Sequence, residues 1–343
     1  MKATMRQVRL AKPEELVFET VEKPSPAEDQ VLIKIKRIGV CGSDIHAYYG
    51  KHPYISCPVV QGHEFSGVIK EVGKGVKDLS VGDKVTVMPQ LTCGECYSCR
   101  HGDYHICNNL KVIGCQAPGA AADYLAVSAA LVIKLPENMS FDNGAMVEPV
   151  AVGVHAVRRL GVVKGRKILV LGAGPIGNLT AQAALGLGAD TVLITDVSDF
   201  RLDVASRCGI RHTVNVKKKL LEEKIEEVFG PDRADAVIEC VGAQDTMESA
   251  IALARKGSDI IVVGVFAEKP TLDIGLVQDK ELRLIGTLMY KELDYVTAVD
   301  LIREERVSLK PLITTHFDFD RYAEAYKYIE DNRERSMKIL IDV

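Results

Sequence analysis

At 343 residues the chain exceeds the length at which a single hydrophobic core stops growing, so two domains are expected. With 47% hydrophobic residues, 26% charged residues and a formal charge of −4, the composition is globular and gives no electrostatic reason for a nucleic-acid partner. The first twenty residues contain no apolar core segment before charges recur, so no secretory signal is read there and a reducing, cytoplasmic compartment is expected.

After the N-terminus come short runs in which apolar and polar residues alternate: VLIKIKRI at 31–38, SGVIKEV at 66–72 and GDKVTVM at 82–88. A period of two is that of half-buried strands, and the set predicts an antiparallel, barrel-like β domain. Two motifs interrupt it, CGSDIH at 41–46 and GHEFSG at 62–67. A catalytic zinc takes three protein ligands from Cys, His and carboxylate and keeps one position open. Cys41 and His63 supply two of these. Glu64, beside the histidine, and Glu148, immediately before Pro149, are both candidates for the third, and sequence does not separate them. Asp44 is a carboxylate suited to orienting His63, as ligating imidazoles commonly require.

Next comes CGECYSCRHGDYHIC, residues 93–107, which places Cys93, Cys96, Cys99 and Cys107 on one short loop. Disulfides fit poorly in a reducing compartment and with an odd total of nine cysteines. Four thiolates converging on one tetrahedral ion leave no vacancy for substrate, so a structural zinc is expected, with an iron–sulfur cluster as the rival.

Ile168–Ala189 carries no charge over a span long enough to cross a bilayer, yet it is broken by glycines, Pro175, Asn178, Thr180 and Gln182. It reads instead as a strand, KILVLGAGPIG at 167–177, followed by a helix whose apolar face is Ile176, Leu179, Ala183 and Leu187. Gly172, Gly174 and Gly177 form G-x-G-x-x-G: the first permits a tight turn, the second lets backbone approach a pyrophosphate, and the third lets helix and strand pack closely. The helix N-terminus then offers unpaired N–H groups to phosphate. A second strand, TVLITD, ends at Asp196, nineteen residues beyond Gly177, where a carboxylate accepts from ribose hydroxyls and repels a 2′-phosphate, favouring NAD over NADP. Strands at 235–242 and 259–266 alternate with helical stretches such as 244–256, which predicts a parallel sheet covered by helices. Cys57, Cys115, Cys208 and Cys240 show no partner and are read as core or incidental.

Taken together, CGSDIH, GHEFSG, the four-cysteine loop and EPVAVGVHA resemble the zinc-containing medium-chain alcohol dehydrogenases, and more narrowly their polyol and threonine dehydrogenase branch. The resemblance covers essentially the whole chain. It implies an α/β protein with a GroES-like β-barrel catalytic domain, residues 1–150 and 287–343, carrying a zinc lobe at about 89–110. Residues 151–286 are then a Rossmann NAD-binding domain. It implies two zinc ions per chain, one catalytic and one structural, and a proton relay through Ser43 and His46. Arg201 is then an accessory to NAD binding, while Ile176, the segment Val263, Gly264 and Val265, and the pair Thr287 and Leu288 line the cofactor groove. A homotetramer follows by analogy with the branch.

The activity implied is oxidation of a secondary alcohol to a ketone. Animal sorbitol dehydrogenases carry a tyrosine where this chain has Ala47 and an arginine where it has Met289, with Tyr48 and Tyr290 as possible substitutes. CGSDIHAYYG is closer to bacterial enzymes for sugar alcohols and sugar acids, which are the favoured substrates. Threonine and butanediol are alternatives within the same reaction class. A non-catalytic nucleotide- or RNA-binding relative is the alternative from another class, and it predicts decay of the metal motifs, which are intact.

Overall fold

In the computed structural model, which describes residues 3–343, the chain opens with β1 (Thr4–Lys12), β2 (Glu15–Glu22), β3 (Gln30–Gly39) and α1 (Gly42–Tyr48). It continues through β4 (Glu64–Val72), β5 (Lys84–Val87), β6 (Gln90–Leu91), α2 (Tyr97–Arg100), β7 (Lys111–Val112), β8 (Tyr124–Ser128), β9 (Val132–Lys134) and α3 (Phe141–Ala145). Then follow α4 (Val147–Arg158), β10 (Lys167–Leu171), α5 (Pro175–Gly186), β11 (Thr191–Asp196), α6 (Asp199–Arg207), β12 (His212–Asn215) and α7 (Leu221–Phe229). Next are β13 (Ala236–Glu239), α8 (Gln244–Leu253), β14 (Asp259–Val262), α9 (Ile274–Asp279) and β15 (Arg283–Gly286). The chain closes with α10 (Glu292–Arg303), β16 (Ile313–Asp318), α11 (Tyr322–Asp331) and β17 (Lys338–Asp342).

Two units result. One takes the residues up to Glu148 together with Lys291–Val299 and Ile313–Val343; the other takes Pro149–Tyr290 and Asp300–Leu312.

In the first unit a sheet runs in the order β16-β17-β3-β4-β5-β9, with β8 also paired to β3. The alternating runs form β3, β4 and β5, and their inward residues Ile33, Ile35, Ile38, Phe65, Ile69, Val85 and Val87 are fully buried. Each such side chain stabilises the fold by about 1.5–3 kcal/mol, which fixes the register of the strands that carry the site. Pairing is antiparallel except between β16 and β17, which are parallel because α11 carries the chain across between them.

In the second unit six parallel strands are ordered β12-β11-β10-β13-β14-β15. Successive strands step outward from β10 in both directions, so the chain reverses between β10 and β13, the place where open α/β sheets take ligands. The strands are shorter than their apolar runs: β13 stops at Glu239 and β14 at Val262. The residues beyond them turn outward. Val197, Val241, Val265 and Leu288 are between 47% and 77% exposed, and each lies just past the C-terminal end of β11, β13, β14 or β15. That is an apolar edge left open to solvent.

The helix α5 departs from the amphipathic pattern read for it. Gly177 through Ala184 are all buried, Asn178, Thr180 and Gln182 among them. Gln182 donates to Asn178 Oδ1 at 2.8 Å and accepts from the Ser308 N–H at 2.6 Å, whereas Asn178 Nδ2 and Thr180 Oγ1 are buried without a hydrogen-bond partner. Among the described residues no helix is long and apolar enough to cross a membrane; the uncharged stretch is β10 followed by α5.

Candidate active site

Cys41 caps the N-terminus of α1, and its N–H donates to Asp44 Oδ2 at 3.0 Å, which fixes the first turn. His63 is buried between Gly62, whose φ of +93° suits glycine, and the first residue of β4. Glu64 is that first residue. Through these elements a thiol, an imidazole nitrogen and a carboxylate oxygen come within 4.8 Å of one another. Such a donor set fits a zinc ion with three protein ligands and an open fourth position. Glu148, buried in the first turn of α4, is not one of this group, although it lies near enough to act on the charge of Lys338.

The electrostatics around His63 favour positive charge. Burial alone would lower its pKa, but Asp44, Cys41 and the Cys115 thiol together raise it well above the usual imidazole value. Asp44 is itself pushed up by burial, an effect that His63 opposes. Asp44 Oδ1 stands 3.7 Å from His63 Nδ1, and both atoms are buried without a hydrogen-bond partner. A field that favours a proton on the imidazole also favours a cation beside it. Asp44 is further held by Gln61, whose amide donates to the Asp44 carbonyl at 3.0 Å and accepts from the Tyr326 hydroxyl at 3.0 Å.

Glu64 has a partner that local sequence does not suggest. Lys338, the first residue of β17, donates to both of its carboxylate oxygens at 2.6 Å. The strand order β17-β3-β4 brings them together across Gly39, where a Cβ would stand 2.3 Å from Glu64 Oε2. Glycine there gives the carboxylate its room.

Cys115, read as incidental, lies near enough to His63 for each to act on the other's charge. It also lines a cavity of about 390 Å³ with Arg9, Tyr54, Ser56 and Gln116. No spacing in the sequence ties it to Cys41. On α1, Ser43 is half-buried and His46 exposed, two and five residues beyond Cys41.

The four clustered cysteines form a separate group, again with all sulfurs within 4.8 Å. Measured pairs are 3.4 Å for Cys93 and Cys107, 3.9 Å for Cys96 and Cys107, and 4.0 Å for Cys93 and Cys99. Four thiolates around a tetrahedral zinc at about 2.3 Å would be about 3.8 Å apart, so this set fits a closed site. Backbone N–H groups supply part of the field: Cys96 N–H donates to Cys93 Sγ and Asn109 N–H to Cys107 Sγ. Backbone donors at Asn108 and Cys99 lower the Cys96 thiol to about 6, while desolvation and the neighbouring thiols push Cys99 up to about 12. The loop closes through Gly94 and Gly102, at φ of +75° and +77°. All nine cysteines are free of disulfides.

In the second unit the glycine turn opens α5. A Cβ at Gly177 would stand 1.9 Å from the Gly172 carbonyl, whereas nothing lies within 4 Å of one at Gly174. Asp196 ties the turn to β11: Oδ2 accepts from the Ala173 N–H at 2.8 Å, and Oδ1 from the Val197 and Ser198 N–H groups at 2.8 and 2.9 Å. Arg201, in the first turn of α6, is 3.8 Å from Asp196. Ile176 is partly buried in the first turn of α5. Val263, Gly264 and Val265 follow β14, and Thr287 and Leu288 follow β15.

Two family profiles match the chain: Alcohol dehydrogenase GroES-like domain over residues 27–137, and Zinc-binding dehydrogenase over residues 175–304. A sorbitol dehydrogenase of Halalkalibacterium halodurans is 36% identical over 324 residues, 93% of each chain. The chain belongs to the zinc-containing medium-chain alcohol dehydrogenases. Within them it falls in the polyol branch. A 2-dehydro-3-deoxy-L-galactonate 5-dehydrogenase of Pseudoalteromonas atlantica is 34% identical, again over 93% of each chain. Among solved structures, galactitol-1-phosphate dehydrogenase from Escherichia coli superposes with a TM-score of 0.91 at 30% identity, covering 99% of this chain and 100% of the other. The medium-chain dehydrogenase fold is therefore that of this enzyme: a GroES-like domain joined to a Rossmann-type parallel sheet.

Proposed function

We propose that this dehydrogenase oxidises a secondary alcohol of a sugar alcohol or sugar acid to the ketone, with NAD as hydride acceptor, at a centre held by Cys41, His63 and Glu64. The observation that carries the reading is the grouping of that thiol, imidazole and carboxylate apart from the four-cysteine lobe. A zinc ion there supplies Lewis acidity, which brings the pKa of a hydroxyl down toward neutrality. The chain's own residues do the rest. Asp44 orients His63, and Lys338 balances the charge of Glu64. Ser43 Oγ takes up the hydroxyl proton as it gives its own onward, and the exposed His46 imidazole, a side chain suited to shuttling protons, releases one to water. Each turnover thus delivers a hydride to NAD and a proton to solvent.

NAD is favoured because the Asp196 carboxylate, at the end of β11, would repel a 2′-phosphate. The sugar-derived substrate class is supported by the names of the polyol and aldonate relatives. The Tyr48 hydroxyl donates to the Glu14 carbonyl at 3.2 Å and Tyr290 is fully buried, which weighs against either standing in for the groups missing at Ala47 and Met289. By analogy with the branch the enzyme works as a cytoplasmic homotetramer, and light scattering tests the assembly. For the reaction, the test is NADH production on a panel of polyols, aldonates, threonine and 2,3-butanediol. Turnover confined to polyols or aldonates supports the reading, and turnover confined to threonine or butanediol overturns the substrate class.

A further inference from the structure

We propose that Glu239 is a positioning residue for the dinucleotide: its buried carboxylate fixes the turn 240–243, whose backbone interlocks with the turn 263–265 at the open edge of the parallel sheet. The inference rests on the cofactor reading above. Glu239 ends β13 and is fully buried. Three donors converge on its Oε1, each at 2.8 Å: the Val241 N–H, the Gly242 N–H and the Thr246 hydroxyl from the first turn of α8. Its main-chain carbonyl accepts from the Val263 and Gly264 N–H groups at 2.9 and 3.1 Å. One residue thus bonds to both turns.

Glu239 Oε2 is buried without a hydrogen-bond partner and faces Gly264, where a Cβ would stand 2.6 Å from it and 2.1 Å from the Gly242 nitrogen. On the other side, a Cβ at Gly242 would stand 2.5 Å from the Val265 carbonyl. The turns therefore interlock backbone to backbone, with Glu239 beneath them. A buried carboxylate costs free energy to desolvate, and an oxygen left without a partner adds to that cost. Here the bonding is concentrated on the turn. What the turns present outward are Val241 and Val265, 47% and 77% exposed on the cofactor edge. A site of this kind tolerates displacements of only about 0.5 Å, so loosening the clamp should weaken dinucleotide binding while leaving the metal centre intact.

The test compares wild type, Glu239→Gln and the milder Thr246→Val, which removes a single donor. NADH affinity is measured by the fluorescence of the reduced nicotinamide, together with KM for NAD, KM for the alcohol, zinc content and urea stability. The expected result is a Kd for NADH raised about tenfold in Glu239→Gln and about threefold in Thr246→Val, a rise in KM confined to NAD, and full zinc content in both. Loss of stability with Kd and KM for NAD unchanged in both variants would make Glu239 purely structural and overturn the inference. If wild type itself binds no dinucleotide, the cofactor reading fails and takes the inference with it. If wild type binds and both variants bind equally well, the inference alone fails.

Discussion

Lys338 grips both carboxylate oxygens of Glu64 at 2.6 Å, in a place where the lysine is 3% and the glutamate 1% exposed. A pair buried this deeply contributes little net stability against an apolar pair of the same shape, but losing one member strands the other. Lys338→Met is therefore expected to destabilise the protein by about 3–5 kcal/mol in urea unfolding. Lys338→Met combined with Glu64→Gln should recover most of that loss. A single variant as stable as wild type would show that Glu64 is not held as a charged partner.

The glycine turn makes a discriminating pair. Gly177→Ala drives a Cβ to 1.9 Å from the Gly172 carbonyl, backbone that cannot yield, and should destabilise by about 1–3 kcal/mol or more. Gly174→Ala meets nothing within 4 Å and has φ of −62°, so its stability should stay within about 0.5 kcal/mol of wild type. Gly174→Ala should still weaken NADH binding if the backbone there approaches a pyrophosphate. Thermal unfolding and NADH titration of the two variants separate a packing role from a binding role.

Two thiols give a pH prediction. Desolvation pushes Cys208 up to about 11, opposed in part by Asn178 and Arg207, and pushes Cys240 higher still. At pH 8 only about one Cys208 in a thousand is ionised, so Ellman's reagent should leave both thiols of the native protein unreacted. The unfolded chain ionises them near pH 8.5, so the native preference for the protonated thiol stabilises the fold below that pH. That contribution is lost as pH rises toward 11, and the stability of wild type relative to Cys208→Ala should fall over the same window. Rapid labelling of the native protein would contradict the prediction.

What the sequence made legible was local. Four cysteines within fifteen residues, or three glycines at fixed offsets ahead of an acid on the next strand, meet through turns and βα units that short-range pattern specifies. Lys338 lies 274 positions from Glu64 and reaches it only because β17 joins β3. Cys115 reaches His63 through long-range folding in the same way. The parallel pairing of β16 with β17 and the all-round burial of α5 likewise depend on what packs against those elements rather than on their own periodicity. Between the two glutamates, proximity to Cys41 and His63 favours Glu64, a choice that sequence alone left open.

The most direct test is zinc per chain, measured by plasma emission on wild type, Cys41→Ala and Cys99→Ala. Two zinc ions are expected in wild type, one in Cys41→Ala with no NADH production and the four-thiolate lobe still loaded, and loss of the other ion in Cys99→Ala. A wild type holding only the all-thiolate ion, or a Cys41→Ala protein that keeps both ions and its turnover, would contradict that expectation.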